Sequence, residues 1–465
     1  VMGTLWRFLR NSGIFVLGTV LSKLIAFIML PLYTAVVPPA DFGYYDLSIT
    51  YLTVICEGLF LNIWVVILRQ MYKSRKEEVR ALQAGSLVFL GSTAAYILLL
   101  VATTLLLDIR YIGLIALLGI VQNIEYVYKH ACRGMRRNWD YAISGVIASL
   151  VMMAMNVLLL VGLSWDFRAL YVSTIVAFLC EIAYIELRAG VLRKMLTSDW
   201  GWAVVPSARS MLVLAVPVGL NALVYWTINS MNRAVVGAVL DLSQNGLFAI
   251  AMRFGSVMML VIMAMTYAWQ DLAFERSRAH SEFFGRATAV YGTALFLGLA
   301  LLVPAMKIVF PLVTDPQYSQ AMTVVPFALA VSTLSGYSNF MVNIFYAIEK
   351  NRETLWAIGI AGAVNMVCVV PMVQLGGLVG ACLSTVVGYS SGIAYMLYRL
   401  RREIGMRVDY RGPSAAIGVV LTSMLVFQLG GTYANVLMGV VVLAACGYAL
   451  VRMTRNERDG RRTSL

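Results

Sequence analysis

Apolar residues in this chain are gathered into long runs separated by short polar breaks, and they do not alternate with polar positions along those runs. Fourteen such runs begin at about residues 12, 44, 84, 111, 141, 169, 210, 246, 287, 322, 354, 376, 413 and 432. Each holds about 20 residues, the length of helix that crosses a hydrocarbon core of about 30 Å. Barrel strands are half as long and alternate apolar with polar residues, so a closed β-barrel is excluded. The pattern predicts an all-α polytopic membrane protein with about fourteen transmembrane helices.

The runs repeat. The stretch PVGLNALVYWTINSMNRAVVGAVLDLSQNGLFAIAMRF, from Pro217 to Phe254, has two apolar spans, a polar turn and an arginine within the second span. Some two hundred residues earlier, VVPPADFGYYDLSIT around Gly43 aligns with VLDLSQNGLFAIAMR around Gly246. A small turn residue followed by an aromatic heads the second span in both copies. Such duplication in a hydrophobic chain marks a secondary transporter of two related bundles with its site between them. The reading divides the chain into an N-terminal lobe (1–205), a C-terminal lobe (206–411), and two appended spans with a basic tail (412–465). The linker KMLTSDWGWAVVPSARS falls where the repeat restarts.

Composition agrees with the pattern: 60% of the residues are hydrophobic, 13% are charged, and the mean hydropathy is +0.80. The net charge of +13 raises nucleic acid as a partner, but its distribution answers otherwise. With the N-terminus inside, thirty of the 36 Lys and Arg, Lys129 among them, fall in even-numbered gaps, the terminal segments included. Only Arg110, Arg168, Arg233 and Lys307 reach the other side. This is the positive-inside pattern, and it predicts that both termini face the cytoplasm. Basic loops then contact anionic membrane lipids, and no nucleic acid is expected. The opening VMGTLWRFLRNSG lacks a small-residue cleavage site and is expected to stay attached. Gaps are short, leaving no room for an extramembrane domain. The six cysteines form no CxxC pair and read as packing residues. His130 and His280 read as residues of basic loops, the 25 methionines as bundle filler, and no metal site or cofactor is expected.

Charges at membrane depth cost about 2.5 to 3.5 kcal/mol each on insertion scales, so those present face the interior or a wet pathway. They are Lys23, Glu57, Glu125, Glu181 and Arg253. Lys23 and Glu57 on consecutive spans also read as a self-neutralising pair, and Glu181 as a peripheral structural group near Glu186 and Arg188. Helical spacing puts polar residues on common faces: Thr19, Ser22 and Lys23; Asn221, Tyr225, Asn229 and Asn232; Asn245, Arg253 and Ser256; Ser332, Ser335, Asn339, Asn343 and Tyr346. Interhelical hydrogen bonding explains one such face. Four favour a hydrated pathway. The small-residue run GGLVGACLSTVVGYSSG reads as close helix packing.

On the Pro217–Phe254 stretch, on LSKLIAFIMLPLYTAVVPPADFGYYDLS and on ACRGMRRNWDYA, the chain resembles bacterial polysaccharide flippases of the Wzx type. These belong to the multidrug/oligosaccharidyl-lipid/polysaccharide exporter superfamily. The resemblance covers spans one to twelve in order. Where family members show an Asp-Arg pair, this chain has Asn232 and Arg233. The resemblance implies a transporter, not an enzyme. It would move an undecaprenyl-pyrophosphate-linked oligosaccharide from the cytoplasmic to the outer leaflet by alternating access between two six-helix lobes. A polysaccharide polymerase and chain-length machinery would be its partners. Lys23, Arg253 and Arg233 would then attract the pyrophosphate; Asn221, Tyr225, Asn229, Asn339 and Asn343 would contact sugar; Glu57 or Glu125 would bind a coupling ion, H+ or Na+. A lipid II-type flippase and a cation/drug antiporter share this fold. An integral-membrane glycosyltransferase or polymerase is disfavoured by the short loops.

Overall fold

The computed structural model describes residues 24–72, 78–201, 204–269 and 281–462, apart from isolated positions 26, 260, 264, 267 and 268, with side chains described as far as residue 447. Packing gathers the chain into two units, 1–246 and 247–465.

In the first unit, α1 (Leu30–Val36) leads through Val37 and the Pro38-Pro39 pair into α2 (Pro39–Phe60). Proline suits a first helical turn, where its missing N–H would have no partner, and the preceding Pro38 is extended at ψ 150°. α2 continues as α3 (Ile63–Met71) after a bend of 51°. The break consists of Leu61 and Asn62, both left-handed at φ 51° and 50°. Next come α4 (Glu78–Leu106), α5 (Ile112–Gly134) and α6 (Asn138–Asn156), which ends in a π-helical turn to Gly162. α7 (Arg168–Ala189) stops at Gly190, left-handed at φ 60°. The Glu186 carboxylate then accepts Leu192 N–H at 2.8 Å and Arg193 N–H at 3.1 Å, capping the short α8 (Val191–Thr197). α9 (Val204–Asn229) and α10 (Met231–Val239) pack on α2, and α9 also on α4, while α5, α6 and α7 pack on one another. The seventh span therefore groups by packing with the first six, whereas the repeat restarts at its beginning.

Arg110 ties three polar connections at one end of this unit. Its guanidinium lies 3.5 Å from Asp41 and 3.7 Å from Asp166, and over the rings of Phe167 (4.7 Å) and Tyr111 (4.9 Å). Tyr44 donates to the Arg110 carbonyl at 2.8 Å. Together these contacts fix the first turn of α2.

α11 (Leu242–Gly255) carries the chain into the second unit. There α12 (Ser281–Val313) is the central element, packed by α13 (Val325–Ala347) and by the two final helices. Phe340 is stacked between Trp269 at 4.3 Å and Tyr291 at 4.1 Å. Asn351–Ile404 is continuous in hydrogen bonding but would be about 80 Å long if straight, well over twice a bilayer core. Gly377, at φ 55° and ψ −135°, folds it into α14 (351–376) and α15 (378–404). The two arms return side by side: Glu353 near the start accepts from Tyr395 at 2.7 Å and pairs with Arg399 at 2.6 Å. Gly388 and Gly392 let the arms touch, since a Cβ there would stand 2.7 and 2.8 Å from the Ala361 and Ala357 carbonyls. The GGLVGACLSTVVGYSSG run is thus a packing surface. α16 (Arg411–Leu429) and α17 (Thr432–Arg462) complete the unit.

Among the described residues nine helices are long and apolar enough to cross a membrane, and eleven if each of two bent pairs is one span. The Gly377 hairpin is counted there as one. The chain is an all-α polytopic membrane protein, with elements where the apolar runs place them from the second run onward. Lys129 and His130 require a correction. They lie inside α5, not in a loop, because the helix continues through its basic last turns to Gly134. His130 bonds the Tyr126 carbonyl one turn back at 2.8 Å and rests near Trp64. His280 is outside the described residues.

Candidate translocation site

The two glycines aligned by the repeat meet. A Cβ on Gly43 would lie 1.8 Å from the Leu242 carbonyl oxygen and 2.7 Å from the Gly246 nitrogen. One on Gly246 would lie 1.9 Å from the Pro39 carbonyl oxygen and 3.1 Å from the Gly43 nitrogen. The first turns of α2 and α11 therefore cross backbone to backbone, with no space even for a methyl group. Fully buried Asn245 donates to the Gly43 carbonyl at 2.9 Å and pins the crossing.

From this crossing a polar seam runs between α2 and the successive helices α9 and α10. Asp46 pairs with Arg233 at 3.1 Å; the Thr50 carbonyl accepts from Trp226 at 3.3 Å; and Leu61, at the α2 break, touches Gly219. Asp46, Thr50 and Glu57 follow helical spacing on α2, so one stripe of that helix carries all three. Arg233 is 31% exposed, Asp46 only 13%. Glu57 is half-buried near Tyr225 and Tyr126, and its Oε2 is buried without a hydrogen-bond partner among the described residues.

The other candidates are distributed as follows. Asn221 and Tyr225 are exposed on α9, while Asn229 turns its amide to the Tyr225 carbonyl at 2.9 Å and Asn232 is buried. In the second unit Arg253 is half-buried in the last turn of α11. Its carbonyl accepts from the Ser256 hydroxyl at 2.6 Å as the helix breaks. On α13, Asn339 is exposed, and Asn343 is buried and donates to the Asn339 carbonyl at 2.9 Å. Lys23 is outside the described residues, so its pairing with Glu57 is not part of this geometry.

Glu125 and Glu181 come together, in a way sequence spacing alone does not indicate. Lys129 Nζ lies 3.0 Å from Glu125 and 3.3 Å from Glu181, joining α5 to α7. Ser144 of α6 donates to Glu181 at 2.8 Å. The carboxylate side chains are 2% and 1% exposed. Asp46 and Lys129 are the residues that sequence reasoning missed. Lys129 had a signal, being one helical turn from Glu125. Asp46 sits in the repeated segment, where nothing but the fold pairs it with Arg233, 187 positions away.

With this geometry in view, the fold can be compared with known proteins. Neither a protein-family model nor a curated protein sequence matches the chain. Solved structures do. The lipid II flippase MurJ in its inward closed conformation matches with a TM-score of 0.68 at 13% identity, over 95% of this chain and 99% of that one. An inward-facing multidrug resistance MATE family transporter of the MOP superfamily matches at 0.61 and 12% identity, over 82% and 95%. A mutant of the Vibrio cholerae MATE transporter VcmN matches at 0.54 and 16% identity, over 86% and 97%. The chain thus has the fold of the MurJ and MATE transporters. The α16–α17 pair is more than a tenth of the chain, so the MurJ match, which leaves out only 5%, takes in at least part of it.

Proposed function

We propose that the chain is a flippase of the MOP superfamily. It carries a polyprenyl-pyrophosphate-linked oligosaccharide, of the undecaprenyl type, from the cytoplasmic to the outer leaflet by alternating access. The observation that carries this reading is the near whole-length likeness in fold to a lipid II flippase, which takes in at least part of the appended helix pair. The motif resemblance to polysaccharide flippases supports the same substrate class. A pyrophosphate and its sugars do not cross about 30 Å of hydrocarbon unaided. Fixed cations and amides replace part of their hydration, while the lipid tail remains in the bilayer.

The cation distribution supports cytoplasmic termini, and the resemblance to bacterial flippases supports an inner-membrane location. In that orientation the Gly43–Gly246 crossing and the Asp46–Arg233 pair lie toward the outer face, and both must part to release substrate there. Lys23 and Arg253 attract the pyrophosphate. Arg233, its charge answered by Asp46, joins them when the pair opens. Asn221, Tyr225, Asn229, Asn339 and Asn343 meet the sugars. Surface polysaccharide assembly, with a polymerase and chain-length machinery downstream, is the setting.

The test is reconstitution. Vesicles containing the purified chain receive a fluorescent undecaprenyl-pyrophosphate oligosaccharide, a lipid II analogue or a cationic dye, and movement is read by a membrane-impermeant quencher. The oligosaccharide lipid should cross at least tenfold faster than in protein-free vesicles. Movement of lipid II alone would keep the class and overturn the finer assignment. Movement of the dye alone would overturn the flippase reading.

A further inference from the structure

The seam joining α5, α6 and α7 holds two carboxylates and one ammonium, a net charge of −1 if both acids are ionised. Oε1 of Glu125 and of Glu181 both lie on Lys129 Nζ. Glu181 has a second donor in Ser144, whereas Oε2 of Glu125, on a side chain only 2% exposed, has no hydrogen-bond partner among the described residues. Both acids share the one ammonium, so the two carboxylates are neighbours. A buried carboxylate with an orphaned oxygen and a like charge beside it is expensive. A proton on that oxygen removes the excess charge.

We propose that Glu125 and Glu181 hold one exchangeable proton between them over the Lys129 ammonium, making this seam a proton-binding site. On binding, an O–H bond forms at Glu125 Oε2, a hydronium ion gives up the proton and leaves as water, and the cluster passes from −1 to neutral. No redox change is involved. A metal ion fits less well, because the ammonium already occupies the point between the carboxylates and hard cations need several oxygens at short range.

The surroundings are mixed. Tyr126, His130 and Arg133 lie along α5, and His130 meets Trp64 of α3. Tyr141 of α6 lies under both Lys129 (5.3 Å) and Arg133 (5.6 Å). Glu57 of α2 acts on Tyr126, Tyr96 of α4 bonds the Ala116 carbonyl at 3.4 Å, and Lys194 of α8 reaches Met135 at 3.5 Å. None of these donates to Oε2. Lys129 is 24% exposed and five residues from the end of α5, about 7 Å along the helix, so the site has a route to water. The proposal deepens the expectation that Glu125 binds a coupling ion: it makes that ion a proton and names Glu181, Lys129 and the three helices that hold it.

It is tested on the full chain in lipid nanodiscs without substrate, by infrared difference spectroscopy of the protonated-carboxyl band during a pH titration. The wild type should show such a band, distinct from one that Glu57→Gln removes, that disappears as pH rises with release of one proton from the cluster. Glu125→Gln and Glu181→Gln should each lose the whole band, because a single carboxylate beside Lys129 stays ionised; Lys129→Arg should keep it. Persistence of the band in both glutamine variants overturns the proposal. So does displacement of the proton by sodium, or, should the variants fail to fold, absence of the band from the wild type at every pH that leaves it folded. Because no substrate enters, failure here and failure of the flippase reading are separate results.

Discussion

Replacing Gly43 or Gly246 by valine should force the crossing of α2 and α11 apart and abolish productive transport. Most overpacked sites relax by turning a side chain, at about 1 to 3 kcal/mol. Here the obstacle is backbone: the added Cβ would stand 1.8 or 1.9 Å from a carbonyl oxygen of the facing helix, and only separation of α2 from α11 removes the clash. A penalty of about 3 kcal/mol on this closed arrangement shifts its population roughly 100-fold against any arrangement in which the helices are parted. A cysteine in place of Asp46, now 13% exposed, should then react with an impermeant maleimide at least tenfold faster. Gly91→Val, where a Cβ meets nothing within 4 Å, is the control and should leave labelling unchanged.

The second large effect concerns Lys129. Changing it to methionine retains the apolar stem and leaves two carboxylates facing one another with one hydroxyl donor between them. Removing one partner of a buried ion pair costs about 3 to 5 kcal/mol. Lys129 is a quarter exposed, so the low end, about 3 kcal/mol, is the expected loss, read as a fall in the unfolding midpoint in detergent. Adding Glu181→Gln to Lys129→Met should recover most of it, since only one acid remains and it can stay protonated. No recovery would mean that Lys129 acts by packing alone.

Much of this architecture is legible in the chain. Run length and cation distribution give the helices because bilayer thickness and the cost of unsatisfied backbone leave few alternatives. The hairpin at Gly377 is readable as two runs, and the duplication is visible around Gly43 and Gly246. What the chain conceals is contact between distant positions. The alignment of the two glycines does not say that they touch. Asn232, where the flippases that the chain resembles carry an acid, leaves Arg233 without a partner in sequence, and Asp46 supplies one from α2. The Leu61–Asn62 break has neither glycine nor proline to announce it; Gly219 on α9 lets Leu61 approach. Lys129 reads as a loop residue because basic residues in the last turns of a membrane helix look the same, in one dimension, as the connection that follows.

We propose that transport of a lipid-linked saccharide by this chain requires the helices that meet beside Asp46 and Arg233 to part. The most direct test uses a chain lacking the native cysteines, with Leu47→Cys and Gly237→Cys, reconstituted with the fluorescent undecaprenyl-pyrophosphate oligosaccharide; these positions adjoin Asp46 and Arg233 and are in contact, a Cβ on Gly237 lying 2.8 Å from the Leu47 side chain. Closing the pair with a short, reducible cross-linker should stop transfer to the outer leaflet, and reduction should restore it. Transfer that continues at the same rate through the cross-linked protein would contradict the account.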